Sequence, residues 1–295
     1  MNFVTYRYQG CEQVGVLQAD QIITLTELID SPIDSMLDLI FSFQPEWINR
    51  IEDGLKSDEY RGITVSSVKL LAPIPYPRRN VFCLGKNYVE HAQEIKNAGI
   101  TDTSIPQNPI YFTKVASPAI GQGDPVLVSR QVTTQVDYEV ELAVVIGRDG
   151  KNIKPEEAEE YIFGYTIAND VSARNLQANH QQWFKGKSLD NFCPLGPALV
   201  HKSALPLPLH LEIQCRINGE LRQNSNTKNM IFDIPHIISD LSKGMTLKAG
   251  DIICTGTPSG VGMGFEPPRY LADGDVMECY IEKIGKLTNQ IVCTE

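Results

Sequence analysis

The stretch that decides the fold is Val136-Asp137-Tyr138-Glu139-Val140-Glu141-Leu142-Ala143-Val144-Val145-Ile146-Gly147. Its β-branched, apolar-rich composition predicts a strand. Residues two apart in a strand point to one face, so Glu139 and Glu141 should project side by side, on a face that continues as Ala143 and Val145. Buried carboxylates on such a face must be paired, protonated or bound to a cation. The alternative is an edge strand with a solvated acidic end, and the strand alone does not decide between them.

A third acidic residue, Asp170, lies between a short predicted strand, 165–168, and a predicted helix, 171–182. Active-site groups often collect at such junctions. Alternatively, Asp170 is a plain N-cap that accepts hydrogen bonds from first-turn amides. In that case the residue three positions later would often be Glu or Gln, whereas it is Ala173.

Two polar residues follow Asp170 at helical spacing. Arg174 and Gln177 come four and seven residues after it, so all three should share one face of the predicted helix. Oxygen ligands that carry several negative charges suit a hard divalent ion. The sequence therefore predicts that Mg²⁺ or Mn²⁺ binds to Glu139, Glu141 and Asp170.

The composition is that of a soluble globular protein. The chain has 295 residues, of which 42% are hydrophobic and 21% charged, with a formal net charge of −10. The acidic balance argues against nucleic acid or an acidic membrane as partner, although it leaves an anionic substrate open. No apolar run reaches transmembrane length, and the N-terminus lacks the pattern of a signal peptide. Seven scattered cysteines without a CxxC pair indicate reduced thiols, so we expect a cytoplasmic protein.

Two domains are expected. Residues 1–72 contain short predicted strands and helices without a catalytic cluster, and they should form a small N-terminal α+β domain. Residues 73–295 should form the catalytic domain, after a proline-rich linker within 71–77. This larger part is strand-rich with few helices, and Asn218-Gly219 predicts a hairpin turn. Because it lacks regular βαβ alternation, we predict an α+β fold with mixed, largely antiparallel sheets.

His91 and Glu94 are candidates for acid–base chemistry. They lie three residues apart on a predicted helix and can touch. A carboxylate beside an imidazole orients the ring and raises its basicity, as a general base requires. An exposed helix with an incidental His/Glu pair is the alternative, and the pair viewed in isolation favours it. The sequence leaves open whether 96–109, just beyond this helix, forms an ordered lid.

Two lysines and one loop complete the candidates. Lys187 and Lys114 both follow aromatic residues, and a lysine suits one carboxylate or enolate oxygen, although a solvated loop lysine would look the same. The loop 255–262 follows a predicted strand and is rich in small residues, whose backbone amides can bind an anion. It matches neither a nucleotide-binding glycine pattern nor a nucleophile elbow, so we exclude both.

Together these segments resemble the fumarylacetoacetate hydrolase family, from about Pro73 to the C-terminus. The resemblance depends on ordered motifs: Gly85-Lys86-Asn87-Tyr88 with His91 and Glu94; Asp137-Tyr138-Glu139-Val140-Glu141-Leu142; Asn169-Asp170-Val171-Ser172-Ala173-Arg174 with Gln177; Gly186-Lys187-Ser188-Leu189-Asp190; Asn218-Gly219-Glu220; and Gly250-Asp251 followed by Thr255-Gly256-Thr257-Pro258. At one position the chain departs from the pattern, because Asn175 stands where Asp usually follows the arginine.

The resemblance implies a mixed β-roll or β-sandwich catalytic domain, a homodimer and a divalent-metal-dependent enzyme. It implies that the three carboxylates hold Mg²⁺ or Mn²⁺ and that a dyad on a segment ordering over the substrate supplies acid–base catalysis. The residues given catalytic roles are His91, Glu94 and Lys187. The residues expected to contact the substrate are Arg174, Gln177, Thr257 and, as a further candidate, Lys114.

The implied substrate is a small anionic 2-oxo acid. We expect C–C bond cleavage first, either decarboxylation of oxaloacetate or hydrolysis of an acylpyruvate. The alternative is isomerisation of a hydroxymuconate-type diacid such as 2-hydroxyhepta-2,4-diene-1,7-dioate. All three reactions share an enolate on the keto oxygen, where a cation withdraws electrons, so the site does not distinguish them. A non-catalytic metabolite binder is the alternative of another class, and the presence of His91, Glu94 and Lys187 favours an enzyme.

Overall fold

The computed structural model describes residues 1–57, 59–97 and 105–295, and only the helical backbone at 96 and 97. Much of the possible lid, 96–109, therefore lies outside the described residues. The strands in the described ranges are β1 (Asn2–Tyr8), β2 (Cys11–Gln18), β3 (Gln21–Thr24), β4 (Ile63–Thr64), β5 (Lys69–Leu70), β6 (Val81–Gly85), β7 (Ile110–Lys114), β8 (Val126–Ser129), β9 (Val136–Asp137), β10 (Val140–Ile146), β11 (Ile162–Asn169), β12 (Ser172–Ala173), β13 (Leu195–His201), β14 (Glu212–Ile217), β15 (Glu220–Asn226), β16 (Ile252–Cys254), β17 (Val276–Ile281) and β18 (Gly285–Thr294). The α-helices in the same ranges are α1 (Leu25–Ile29), α2 (Met36–Ser42), α3 (Glu46–Lys56), α4 (Val89–Asn97), α5 (Arg174–Asn179), α6 (Phe184–Lys187) and α7 (Ile234–Ser242).

Two sheets make up most of the fold. In the described part of the chain, the larger sheet has 11 strands in the order β4-β3-β2-β1-β13-β11-β10-β16-β6-β7, with β5 paired to β1. The smaller sheet has five strands in the order β15-β14-β17-β18-β8. Among the paired strands only β16 with β6 and β18 with β8 run parallel in the described ranges. The predicted α+β class with mixed, largely antiparallel sheets is therefore confirmed.

The N-terminal strands extend the sheet that carries the candidate site. Strand β1 pairs with β13, with Asn2 opposite Val200 and Phe3 opposite Leu199. The ring of Phe3 packs against that of Phe163 in a shared hydrophobic core. The N-terminal strands and helices are therefore continuous with the larger sheet in their hydrogen bonding and packing, and the domain boundary after residue 72 stays a prediction.

Strand β10 lies in the interior of the larger sheet, between β11 and β16. Leu142 and Val144 face the core between the two sheets, and Ala143 and Val145 face the core on the other side. Both faces of the strand are buried, which explains its nearly continuous apolar sequence. The alternative of a solvated edge strand is therefore wrong.

The predicted strand over 136–147 is interrupted. Strand β9 ends at Asp137 and pairs with β12, whereas β10 begins at Val140, so Tyr138 and Glu139 connect two sheets. The expectation of one continuous strand is therefore wrong, although carboxylate oxygens of Glu139 and Glu141 do lie within 4.8 Å of one another. Tertiary pairing of β9 with β12 overrides the local strand propensity here.

The predicted helix over 171–182 is also shorter than expected. Ser172 pairs with Asp137 and Ala173 with Val136, which holds these residues extended. The helix begins only at Arg174, so Asp170 does not share a helical face with the residues that follow and is not the N-cap of α5. Asp170 and Arg174 are instead linked through Lys187 and Glu139, as the contacts of the site show.

The hairpin turn predicted at Asn218-Gly219 is confirmed. Asn218 and Gly219 both have positive φ angles, 51° and 82°, as a type I′ hairpin turn between β14 and β15 requires. The side chain of Asp233 accepts a hydrogen bond of 2.9 Å from the amide of His236 and so caps α7. Among the described residues, no helix combines the length and the apolar character needed to cross a bilayer.

Candidate metal centre

Three buried carboxylates converge beside the ends of two neighbouring strands. One oxygen from each of Glu139, Glu141 and Asp170 lies within 4.8 Å of the others, and none of these residues is more than 5% exposed. Glu141 lies in β10, and Asp170 directly follows β11. The amide of Asp170 donates to the carbonyl of Glu139 over 2.9 Å, and the amide of Glu139 donates to Oδ1 of Asn169 over 3.0 Å. Strand pairing and these two bonds, rather than one continuous strand, bring the carboxylates together.

Basic side chains surround the carboxylates. Nζ of Lys187 lies 2.7 Å from Oε2 of Glu139 and 2.8 Å from Oδ2 of Asp170. Nζ of Lys114 lies 2.5 Å from Oδ1 of Asp170, and Nη1 of Arg174 lies 2.7 Å from Oε1 of Glu139. All three cations are buried. Glu139 and Asp170 are therefore paired, as buried charges must be.

The pairing is uneven. Burial by itself raises the pKa of Glu139, but the charges of Lys187 and Arg174 outweigh it and lower this pKa to about 2. Glu141 forms no ion pair within the described ranges and accepts a hydrogen bond of 2.7 Å from the amide of Gly256. Burial, followed by the charges of Asp170 and Glu139, raises the pKa of Glu141 well above its ordinary value. Negative charge at this carboxylate is therefore the least compensated.

The donor set fits a hard divalent cation. With Asp137, which pairs with Arg174, four carboxylates face three cationic side chains in this network. An added divalent ion would reverse the excess of negative charge and would allow Glu141 to ionise. Carboxylate oxygens without sulfur or imidazole suit Mg²⁺ or Mn²⁺ better than softer metals.

His91 and Glu94 form a pair on α4. Nδ1 of His91 lies 3.1 Å from Oε2 of Glu94, and Oε1 of Glu94 accepts a hydrogen bond of 2.9 Å from the amide of Gly260. His91 is only 4% exposed, so the alternative of an incidental pair on an exposed helix is wrong. A β-carbon at Gly264 would overlap the side chain of Glu94, so the loop and the helix pack closely.

One cavity is lined by both a carboxylate of the cluster, Glu139, and the imidazole of His91. The candidate residues that line it are His91, Glu139, Arg174, Gln177, Lys187 and Thr257. Arg174 and Gln177 are linked by a hydrogen bond of 2.9 Å between Nη1 and Oε1. The hydroxyl of Thr257 donates a hydrogen bond to the carbonyl of Val140 and accepts one from Gln223, so its hydrogen bonds are made within the protein.

Lys114 is placed differently. It is fully buried at the end of β7, where Nζ donates to the carbonyls of Val171 and Phe192 in addition to its contact with Asp170. It does not line the cavity among the described residues. From this position Lys114 holds the Asp170 carboxylate on the side away from the cavity. The predicted contact of Lys114 with substrate stays a prediction.

The amides of the loop after β16 bind carboxylates of the protein itself. Gly256 donates to Glu141, Gly260 donates to Glu94, and Gly262 donates to Asp137. The small residues that suggested an anion-binding loop therefore hold three acidic side chains of the protein in place.

Asp137 was missed as a functional residue. Its side chain is completely buried and accepts from the amides of Tyr138, Gly262 and Met263 and from Nε of Arg174, over 2.7–3.0 Å. The available signal was its position two residues before Glu139 in an acidic, alternating stretch. Asp137 therefore links the backbone at Gly262 and Met263 to the side chain of Arg174.

Two further positions extend the sequence analysis. Lys86 lines the cavity and has a positive φ of 57°, which is uncommon for a residue with a side chain. Asn175, the departure from the family pattern, accepts a hydrogen bond of 2.6 Å from Thr133 through Oδ1. The amide oxygen thus retains an acceptor role away from the three carboxylates.

Comparison with known proteins agrees with this fold. The family model described as fumarylacetoacetate (FAA) hydrolase C-terminal matches residues 80–292. The chain belongs to the fumarylacetoacetate hydrolase family. The whole segment expected to be a separate N-terminal domain, 1–72, lies before the matched region.

Curated relatives carry the names of enzymes. The chain is 52% identical over 246 residues to oxaloacetate tautomerase YisK of Bacillus subtilis (strain 168), which covers 83% of this chain and 79% of the relative. It is 46% identical over 229 residues to the mitochondrial oxaloacetate tautomerase fahd2 of Xenopus laevis, which covers 77% of this chain and 69% of the relative.

Solved structures match over the full length. The fumarylacetoacetate hydrolase of psychrophilic Exiguobacterium antarcticum has a TM-score of 0.84 and 42% identity, with complete coverage of both chains. Maleylpyruvate hydrolase from Sphingobium sp. SYK-6, in complex with manganese(II) ion and pyruvate, has a TM-score of 0.81 and 29% identity, again with complete coverage. The protein thus belongs to a family whose members include tautomerases and hydrolases.

Proposed function

We propose that this protein is a divalent-metal-dependent enzyme that interconverts the keto and enol forms of oxaloacetate. The observation that carries the proposal is that the buried His91, which is hydrogen-bonded to Glu94, and the carboxylate Glu139 line one cavity. A proton-transfer group next to a cation-binding centre is what enolisation of a 2-oxo acid needs. The names of the two curated relatives support oxaloacetate as the substrate.

The three carboxylates would hold the ion in this proposal. Glu139, Glu141 and Asp170 supply the oxygen ligands, and Mg²⁺ or Mn²⁺ bound there would act as a Lewis acid on the keto oxygen of the substrate. The manganese in the maleylpyruvate hydrolase structure supports this type of ion.

His91 would move the proton. With Nδ1 turned to Glu94, the ring keeps Nε2 for exchange with the substrate, and the carboxylate holds the ring in this orientation. The amide of Gly260 holds Glu94 on its other oxygen. Tautomerisation is balanced when one proton leaves C3 and one is added to the keto oxygen.

The cationic side chains would bind and orient the acid. Lys187 presents a compact charge that can turn from Glu139 towards an enolate oxygen. Arg174, held through Nε by Asp137, presents a planar guanidinium that suits a carboxylate. Gln177, bonded to Arg174, supplies an amide beside it.

Bond cleavage is the second candidate. The sequence predicts decarboxylation or acylpyruvate hydrolysis first, and the likeness to maleylpyruvate hydrolase supports a hydrolytic reaction. The higher identities to the tautomerases lead us to place proton transfer ahead of cleavage. The homodimer and the cytoplasmic location stay predictions of the sequence.

The deciding experiment follows two products at once. The enol of oxaloacetate absorbs ultraviolet light more strongly than the keto form, and pyruvate can be measured separately with a coupled assay. We expect Mg²⁺ or Mn²⁺ with the protein to accelerate keto–enol equilibration without accelerating pyruvate formation. Pyruvate formation as fast as enol loss would establish a decarboxylase instead. Tight binding of oxalate without turnover of any 2-oxo acid would establish a non-catalytic binder.

A further inference from the structure

A second cavity lies next to the candidate site and shares part of its wall. Arg174, Gln177 and Met263 line both cavities. The second cavity is the larger, about 980 Å³ against about 450 Å³ of space between atoms, each with its open mouth included. A substrate that extends beyond the first cavity past these residues would enter the second.

Met263 is the adjustable part of this shared wall. Its side chain is 4% exposed, and Met is unbranched and flexible, so it fills the gap between the two cavities. A smaller side chain at position 263 would widen this gap, and a larger one would close it. Arg174 and Gln177, by contrast, are tied to one another and to carboxylates of the site. Among the shared residues, Met263 is therefore the one whose size can change while these contacts remain.

The backbone on both sides of Met263 is fixed. Its own amide donates to Oδ2 of Asp137 over 3.0 Å. A β-carbon at Gly262 would overlap the carbonyl of Arg269, and one at Gly264 would overlap Glu94. An exchange at position 263 therefore changes the width of the passage without requiring the loop to move.

The wall also offers a hydrogen-bond donor. Nε of Arg174 donates to Asp137 and Nη1 faces Glu139, whereas the buried Nη2 has no hydrogen-bond partner among the described residues. An unpaired buried N–H is costly, and a carbonyl or carboxylate oxygen of a ligand would satisfy it. The second cavity continues with Gln135, Phe265 and Tyr270 and with one acidic residue, Glu266, whose charge disfavours a second carboxylate on the ligand, so this lining suits an uncharged tail.

We propose that Met263 sets the length of acid that the site accepts, and that the second cavity holds the tail of 2,4-dioxo acids longer than a four-carbon diacid. This inference rests on the proposed function, because it places the 2-oxo acid end of the ligand at the metal centre. It adds to that function the residue that selects against acids with a longer chain.

The test measures binding and turnover for a series of acylpyruvates from acetylpyruvate upward. In Mn²⁺-loaded protein, calorimetry gives each dissociation constant, and inhibition of oxaloacetate turnover gives each inhibition constant. We expect Met263→Ala to improve affinity by about fourfold for each added methylene that enters the opened space, relative to wild type. Met263→Phe should do the opposite and exclude the longer acids.

The controls separate this inference from the proposed function. Met245→Ala makes the same exchange at a partly buried methionine outside both cavities and should keep the wild-type length profile. A length profile unchanged in both Met263→Ala and Met263→Phe, with both proteins folded by thermal melting, would overturn the inference. Because calorimetry needs no turnover, the series still tests Met263 if oxaloacetate proves not to be a substrate.

Discussion

Nζ of Lys187 lies 2.7 Å from Oε2 of Glu139, with both side chains buried. A lysine in this place competes with a metal ion for the same carboxylate oxygen, because both positive charges are attracted to it. The same lysine supplies the positive charge that a developing enolate needs. Substitution of Glu139 should therefore weaken metal binding, whereas substitution of Lys187 should not.

The first prediction concerns the carboxylates. Glu139→Gln or Asp170→Asn removes a charged ligand and should lower affinity for Mn²⁺ by at least about tenfold and abolish metal-dependent turnover, with the fold intact. Metal content after dialysis, turnover and a thermal melt measure the three quantities. Glu278→Gln, at a surface ion pair with Lys286, is the matched control. Full activity with unchanged metal content in either variant would show that these residues are not ligands.

The second prediction concerns Lys187. Lys187→Gln removes the competing charge, so Mn²⁺ should bind at least as tightly as in wild type while turnover of oxaloacetate falls by about 100-fold or more. Calorimetry with Mn²⁺ alone and steady-state kinetics at saturating metal measure the two effects. Lys185→Gln, on the same short helix, should change neither. Loss of metal binding in Lys187→Gln would mean that the lysine supports the site rather than competing for it.

The third prediction concerns the proton-transfer pair. His91→Asn should lower kcat by about 10²–10⁴-fold, because it removes the group that exchanges the proton. Glu94→Gln keeps a hydrogen-bond acceptor but loses the charge behind the ring, so it should lower kcat less than His91→Asn does. The rates are measured at saturating Mn²⁺ and substrate.

Glu90→Gln is the matched control for Glu94, because Glu90 lies on the same helix and is exposed. It should retain wild-type kcat. A Glu94→Gln protein with undiminished kcat at every pH would exclude the carboxylate from the mechanism.

Much of the site could be predicted from the sequence, for reasons that differ between residues. Glu139, Glu141 and Asp170 were found because acidic residues in an apolar stretch need a partner, and this holds whatever the local backbone does. The inferred geometry was wrong in detail, since β9 pairs with β12 and breaks the expected strand and helix. Local propensity does not contain such pairings between distant segments.

Asp137 shows what sequence patterns omit. Its four partners come from a neighbouring residue, from a helix 37 positions away and from a loop 125–126 positions away. No spacing rule connects these positions. The continuity of the N-terminal strands with β13 was missed for the same reason, because it depends on a pairing between residues 2–3 and 199–200.

The fourth prediction follows from Asp137. Asp137→Asn keeps the volume but removes the charge that holds Arg174, so KM for oxaloacetate should rise at least about tenfold, with a smaller change in kcat. The double variant with Arg174→Gln should have the same KM as Arg174→Gln alone, because both act through one guanidinium. Additive effects of the two exchanges on KM would contradict this linkage. A thermal melt accompanies each variant, since a broken buried pair is also destabilising.

The last prediction concerns the dependence of stability on pH at His201. Burial, followed by the positive charges of the N-terminus and Lys202, lowers the pKa of this ring from 6.5 to about 4, and Phe3, Phe43 and Phe163 surround it. Between those two values the unfolded chain binds a proton that the folded chain does not, so stability is lost as the pH falls from 6.5 towards 4. The loss from this group is up to about 2 kcal/mol at pH 5.

Denaturant unfolding at pH 7 and pH 5 should show that His201→Gln removes this loss, whereas the same exchange at the exposed His210 leaves it unchanged. An identical difference in the free energy of unfolding for wild type and His201→Gln would show that the ring titrates normally in the folded protein.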